Sequence, residues 1–367
     1  MAKKIAYIVL GMHRSGTSSV AGALARLGAE RPLTEMEAAE DNPRGFFESR
    51  PIAELNDRVL EAGGSWWADW RRFDVKRLDP ETLAGFRREI METVLAEFGG
   101  AESLALKDPR ICRLGGVWSG VLEEMGYRRV NIVPLRSPLE VAGSLHARNG
   151  MPIAKGLALW LRHVLDAERD TRKSGRVLML WNDFMKDWRT AMAPVATLAG
   201  TGGFDMRRAS EIDVYLSGDL RHQNVPDEDL ASAPESHAWA AEAYACLTAA
   251  ARGDGTASAL KRLDQIRDRF ESASDLFGRA GAAEADLTRQ AESTGPTLFD
   301  HAEYLRSLEG LKTLLEKQRN AIEAMRAERD EARVQAAQAA ALEAERRRIY
   351  EERLRLSIQT LADRGAS

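Results

Sequence analysis

Gly11-Met12-His13-Arg14-Ser15-Gly16-Thr17-Ser18 stands between two apolar segments of different period. Before it, Ile5-Ala6-Tyr7-Ile8-Val9-Leu10 is the short unbroken apolar run of a strand buried on both faces. After it, the run from Ser19 to Leu27 has helical spacing, with Gly28 as its stop. A glycine-bounded turn from strand to helix aims backbone N–H groups and the positive end of a helix at one point, which suits a phosphate-type anion. The Gly-x4-Gly-x-Ser spacing is that of a P-loop, but Thr17 occupies the lysine position. Arg14 is the cation inside the loop, so the loop suits an anion to be held more than a triphosphate to be cleaved.

Downstream, strands and helices are expected to alternate. Asp79-Pro80 opens a helix that Gly99-Gly100 ends, and Leu104-Ala105-Leu106 is a strand running into Lys107-Asp108-Pro109-Arg110. A helix over about 114–125 precedes the strand Val130–Leu135, which ends in Arg136. Ser137-Pro138-Leu139-Glu140 then has the form of a capping box. A helix over 154–172 and a strand over 177–181 follow. This rhythm predicts an α/β domain, a three-layer parallel sheet with helices on both faces. Ligands of such sheets bind at the strands' carboxyl ends, where the 11–18 loop, Lys107, Arg136 and Asn182-Asp183 all fall.

The organisation expected is one α/β domain over 1–276, a linker over 277–298 and a long helix or coiled coil over 299–363. Leu308, Leu311, Leu315, Gln318, Ile322 and Met325 mark a seam that fades to Arg329, Ala332, Ala336 and Ala339. A homo-oligomer through that seam is one reading. A single charged helix held by i,i+4 pairs is the other. The net charge of −4 gives no field that argues for a nucleic-acid partner. Cys112 and Cys246 make neither a disulfide framework nor a metal spacing and fit a reducing, cytoplasmic setting. The first apolar run is too short for a signal peptide, and no later run approaches the ~18 apolar residues of a membrane span.

Two of these segments together resemble the sulfotransferases that use 3′-phosphoadenosine 5′-phosphosulfate (PAPS), in their bacterial and Golgi-type branch. Residues 11–18 look like that family's 5′-phosphosulfate loop. Leu135-Arg136-Ser137-Pro138 onward to Ser144 looks like its 3′-phosphate segment. The likeness covers about residues 5–230. The chain departs from it at Trp181-Asn182, where the family usually has Tyr-Glu, so no catalytic role is assigned there.

The resemblance implies a donor held at two ends. Gly11, His13, Arg14, Ser15, Gly16, Thr17 and Ser18 would hold the 5′ end, and Arg136 and Ser144 the 3′-phosphate. Arg221, with His222, would come from a lid. Glu48, after Gly45-Phe46-Phe47, stands where relatives place a catalytic glutamate, and desolvation by the two phenylalanines would raise its pKa. Asp41 and His146 are alternatives. Lys107 or Arg110 would face the leaving group or acceptor, unless Lys107 merely pairs with Asp108. Lys107 and Arg14 complete the expected catalytic set with Glu48, and no metal is expected. Trp66, Trp67 and Trp70 are a packing block or a wall for the acceptor, a glycan by first expectation. Two further readings stay open: a small-molecule P-loop kinase, against which the absent lysine counts, and a non-catalytic nucleotide-binding scaffold assembled through the coiled coil.

Overall fold

A computed structural model describes residues 4–37, 42, 44–216, 238–274 and 320. The chain divides into two units, Met1–Thr288 and Arg289–Ser367, and the sheet with its helices belongs to the first. The expected linker, coiled coil and residues Asp41, Arg221 and His222 lie outside the described residues.

Four strands, β1 (Lys4–Val9), β2 (Ser103–Lys107), β3 (Tyr127–Leu135) and β4 (Arg176–Leu180), form one sheet in the order β2-β1-β3-β4. Every pairing is parallel. Alternation along β1 separates the two faces. Ala6, Ile8 and Leu10 enter one core, shared with α2 (Arg50–Ala62), α3 (Pro80–Phe98), α4 (Gly115–Glu124) and α6 (Ile153–Thr171). Helices α5 (Pro138–Asn149) and α10 (Ala238–Arg252) and residues Leu263, Ile266 and Phe270 complete that core. Tyr7 and Val9 enter the other, with α1 (Thr17–Arg26), α7 (Trp181–Lys186), α8 (Trp188–Ala199) and α9 (Ala209–Tyr215). The three-layer parallel architecture read from the sequence is therefore present.

Local chemistry sets the helix ends. The Asp79 side chain accepts from the N–H groups of Glu81 and Thr82 and starts α3. Ser49 accepts from Ile52 N–H and starts α2. At α5 the expected capping box does not form. Ser137 is at the N-cap, but its side chain makes no cap bond, and Glu140 accepts instead from Arg136 Nε at 2.7 Å. A neighbouring guanidinium offers a charge-assisted bond, stronger than a neutral backbone N–H can give. The fourth strand stops at Leu180, so Trp181 begins α7 rather than ending a strand.

Strand order 2-1-3-4 sends the connection from β1 to one side and the connection after β2 across to the other. The chain therefore parts at the carboxyl ends of β1 and β3, which opens the crevice where ligands of such sheets bind. Among the described residues no helix is long and apolar enough to cross a membrane.

Candidate functional site

The loop after β1 turns at Met12, whose carbonyl accepts from Ser15 N–H at 3.1 Å. Arg14 and Gly16 both have left-handed backbones, with φ of +70° and +83°. Gly16 is also the N-cap of α1, and a Cβ there would sit 2.3 Å from the Trp181 ring. Glycine is needed at this position for conformation and for space. Trp181, the first residue of α7 just past β4, is thus the floor against which the loop lies, a role the sequence did not reveal. The tight Gly–Trp approach is long-range and leaves no local pattern.

Arg136, just past β3, reaches the same floor. Its guanidinium lies 5.7 Å over the Trp181 ring, and its Nη1 donates to Arg14 O at 3.1 Å. Arg14 in turn donates from Nε to Ser144 Oγ at 2.8 Å. The loop after β1 and the segment after β3, expected as separate anchors, therefore meet in one continuous polar surface. Each contributes a buried hydroxyl, Ser15 Oγ and Ser137 Oγ, that has no hydrogen-bond partner among the described residues. A buried unpaired polar group is costly and is normally satisfied by something that binds it. Thr17 is buried at the start of α1, and Gly11 opens the loop after β1.

A second cluster flanks the loop. Lys107, the last residue of β2, is 4% exposed, and Glu48 is 3% exposed. The Lys107 ammonium pairs with Glu48 Oε1 and also donates to Phe46 O at 3.2 Å and Ser18 Oγ at 3.3 Å. Burial pushes the Glu48 carboxyl above its ordinary range, and the Lys107 charge opposes that shift. Phe47, at a left-handed φ of +54°, packs into the core beside Tyr215. An antiparallel bridge between Glu35 and Ser49 pins the segment, and Glu48 O accepts from Met36 N–H.

The Lys107–Asp108 pair considered from sequence is not the one observed. Asp108 caps the turn Pro109–Cys112 by accepting from Arg110 N–H, and its other oxygen pairs with Arg110 Nη1 at 3.0 Å. Arg110 Nε is taken up by Asp57 at 2.6 Å. Lys107 is thus the basic residue of this segment that reaches the loop, through Ser18.

His13 contacts Trp67. Its Nε2 is buried without a partner among the described residues, and its ring meets Trp67 edge-on at 5.2 Å. Burial, then the charges of Arg110, Arg148 and Lys107, push its imidazole well below the usual histidine range, so it is neutral near pH 7. Of the three tryptophans, Trp66 is a core residue, Trp70 packs on Phe270, and half-buried Trp67 borders the loop. His146, exposed near the end of α5, has its Nδ1 3.0 Å from Met151 O. No cluster of three His, Cys, Asp or Glu side chains suited to a metal occurs among the described residues.

No family model matches the chain, and no curated protein matches it in sequence. Among solved structures, the sulfotransferase domain from the Synechococcus PCC 7002 olefin synthase is similar at 17% identity. The match covers 66% of this chain and 94% of that one, with a TM-score of 0.35. It is a distant structural neighbour.

Proposed function

We propose that this chain is a PAPS-dependent sulfotransferase acting on an acceptor hydroxyl. The observation that carries the reading is the polar surface joining two anion anchors. Arg14, bonded to Ser144, links a P-loop-like turn lacking its lysine to a basic segment after β3, and each side offers an orphan buried hydroxyl. PAPS has the matching chemistry, with a phosphosulfate at one end and a 3′-phosphate at the other. Ser15, Thr17, Ser18, Arg14 and the first N–H groups of α1 would hold the phosphosulfate. Arg136, Ser137 and Ser144 would hold the 3′-phosphate.

PAPS, when bound, supplies the sulfonate and departs as adenosine 3′,5′-bisphosphate. In the direct transfer, the acceptor oxygen forms a bond to sulfur as the bond from sulfur to the phosphate oxygen breaks. Glu48, its carboxyl raised by burial, takes the acceptor proton. Lys107 offers its ammonium to the charge developing on the leaving phosphate. For this, Lys107 must exchange its bond to Glu48 for one to the donor, which leaves the carboxylate free to act as base.

Titration calorimetry with adenosine 3′,5′-bisphosphate and with ATP–Mg²⁺ tests the reading. Micromolar binding of the bisphosphate, sulfonate transfer from labelled PAPS across an acceptor panel, and loss of transfer in Glu48→Ala are expected. Binding of ATP–Mg²⁺ with none of the bisphosphate would instead favour phosphoryl transfer and end the proposal.

A further inference from the structure

Beyond the anion anchors, the loop borders a corner that the transfer step does not use. His13 is its first wall, with a neutral ring and a buried Nε2 that has no partner among the described residues. Trp67 stands edge-on to it at 5.2 Å, and Trp66 stands edge-on to Trp67 at 5.9 Å. Trp66 Nε1 is also buried without a partner among the described residues. Arg148, in the last turn of α5, holds its guanidinium 5.8 Å over the Trp67 ring. Lys155, in the first turn of α6, lies 5.5 Å over the Trp66 ring.

Two basic side chains from the junction of α5 and α6 are therefore laid on adjacent indoles, one ring away from the phosphate loop. Arg148 forms no ion pair with a carboxylate among the described residues. Lys107 and Arg110, the other basic groups near His13, are already paired with Glu48 and with Asp57 and Asp108. A guanidinium held on an aromatic face is pre-ordered to bind an anion, and Arg148 is the cation of this corner so placed without a carboxylate partner among the described residues.

We propose that this corner selects an acceptor that itself carries an anionic group, bound by Arg148 beside Trp67, with its hydroxyl presented to the loop past His13. The proposal deepens the sulfotransferase reading and rests on it for what happens to that hydroxyl. It does not rest on it for binding: the corner lies outside the donor anchors, and its preference for charge is measurable with or without the donor. The anchor is one charge-assisted contact, so the discrimination expected is at least about tenfold.

Two matched probe pairs test this, methyl β-D-glucuronide against methyl β-D-glucoside, and 4-hydroxybenzoate against 4-hydroxybenzamide. Each pair differs at the charged group, and the two pairs separate a sugar ring from an aromatic one. Affinity is measured by calorimetry with the full chain, alone and with adenosine 3′,5′-bisphosphate present. The charged member of at least one pair is expected to bind about tenfold or more tighter. Arg148→Met keeps an apolar contact on Trp67 and removes the charge. It should abolish that preference while leaving bisphosphate affinity and thermal midpoint unchanged. Equal binding within both pairs, or no binding of either, overturns the proposal, as does a preference that survives in Arg148→Met. Failure of the bisphosphate to bind would instead overturn the sulfotransferase reading, and the pairwise preference would still be read without it.

Discussion

Lys107→Met removes the cation from the most buried ion pair of the site. Glu48 and Lys107 are 3% and 4% exposed, so water replaces little of what is lost. The ammonium serves three acceptors, Glu48 Oε1, Phe46 O and Ser18 Oγ. Ser18 still donates to Phe46 O at 3.2 Å, so the main casualty is the Glu48 carboxylate. Stranding one member of a buried pair costs about 3–5 kcal/mol, a large share of the ~5–15 kcal/mol of a whole domain. The cost must also depend on pH. The folded-state pKa of Glu48 already lies above its unfolded value because of burial, and Lys107 is the first force holding it down. Removing Lys107 raises it further. An acid whose folded pKa is raised destabilises the fold as it ionises, so the variant's extra loss grows as pH rises past the folded pKa of Glu48 in the native protein and levels off above its higher folded pKa in the variant. Urea unfolding at pH 5 and pH 8 is the assay, and the variant should lose distinctly more at pH 8. Adding Glu48→Gln should restore more than half of the loss, because no charge then remains buried. Equal losses at both pH values, or a double variant no more stable than Lys107→Met, would refute this reasoning.

Gly16→Ala should cost about 2–4 kcal/mol, combining a left-handed backbone with a Cβ driven into Trp181. A change in unfolding free energy below ~1 kcal/mol would show that the loop does not rest on that ring. Arg14→Ala and Arg136→Ala should each weaken adenosine 3′,5′-bisphosphate roughly 10- to 100-fold by calorimetry, and Ser144→Ala by less, since it removes a neutral partner. Unchanged affinity in both arginine variants would remove the donor site from this surface. Asn56 is fully buried and accepts from Trp118 Nε1 at 2.8 Å. Asn56→Leu should lower stability by about 1–3 kcal/mol, read as a shifted urea midpoint at constant slope, and a shift within ~0.5 kcal/mol would contradict it.

What the sequence determined by itself was local. Short apolar runs and helical spacing, Asp79-Pro80 and Gly99 around α3, and the apolar run before Gly11 were enough to place strands, helices and the phosphate-type loop, because each depends on neighbours along the chain. The parallel rhythm then put Lys107 and Arg136 at the same edge of the sheet as the loop. The partners of those groups were beyond its reach. That Lys107 chooses Glu48 over the adjacent Asp108 follows from Asp108 being consumed by its own turn and by Arg110. Glu140 turning from its expected cap to Arg136, and Arg14 spanning to Ser144, depend on how closely β1 and β3 bring their loops together. Trp181 under Gly16 depends on β4 lying beside β3. Each is a contact between residues far apart in sequence, set by strand order and helix packing. Local residue patterns fix which elements form, while charge pairing and burial at a site are fixed only when those elements are stacked.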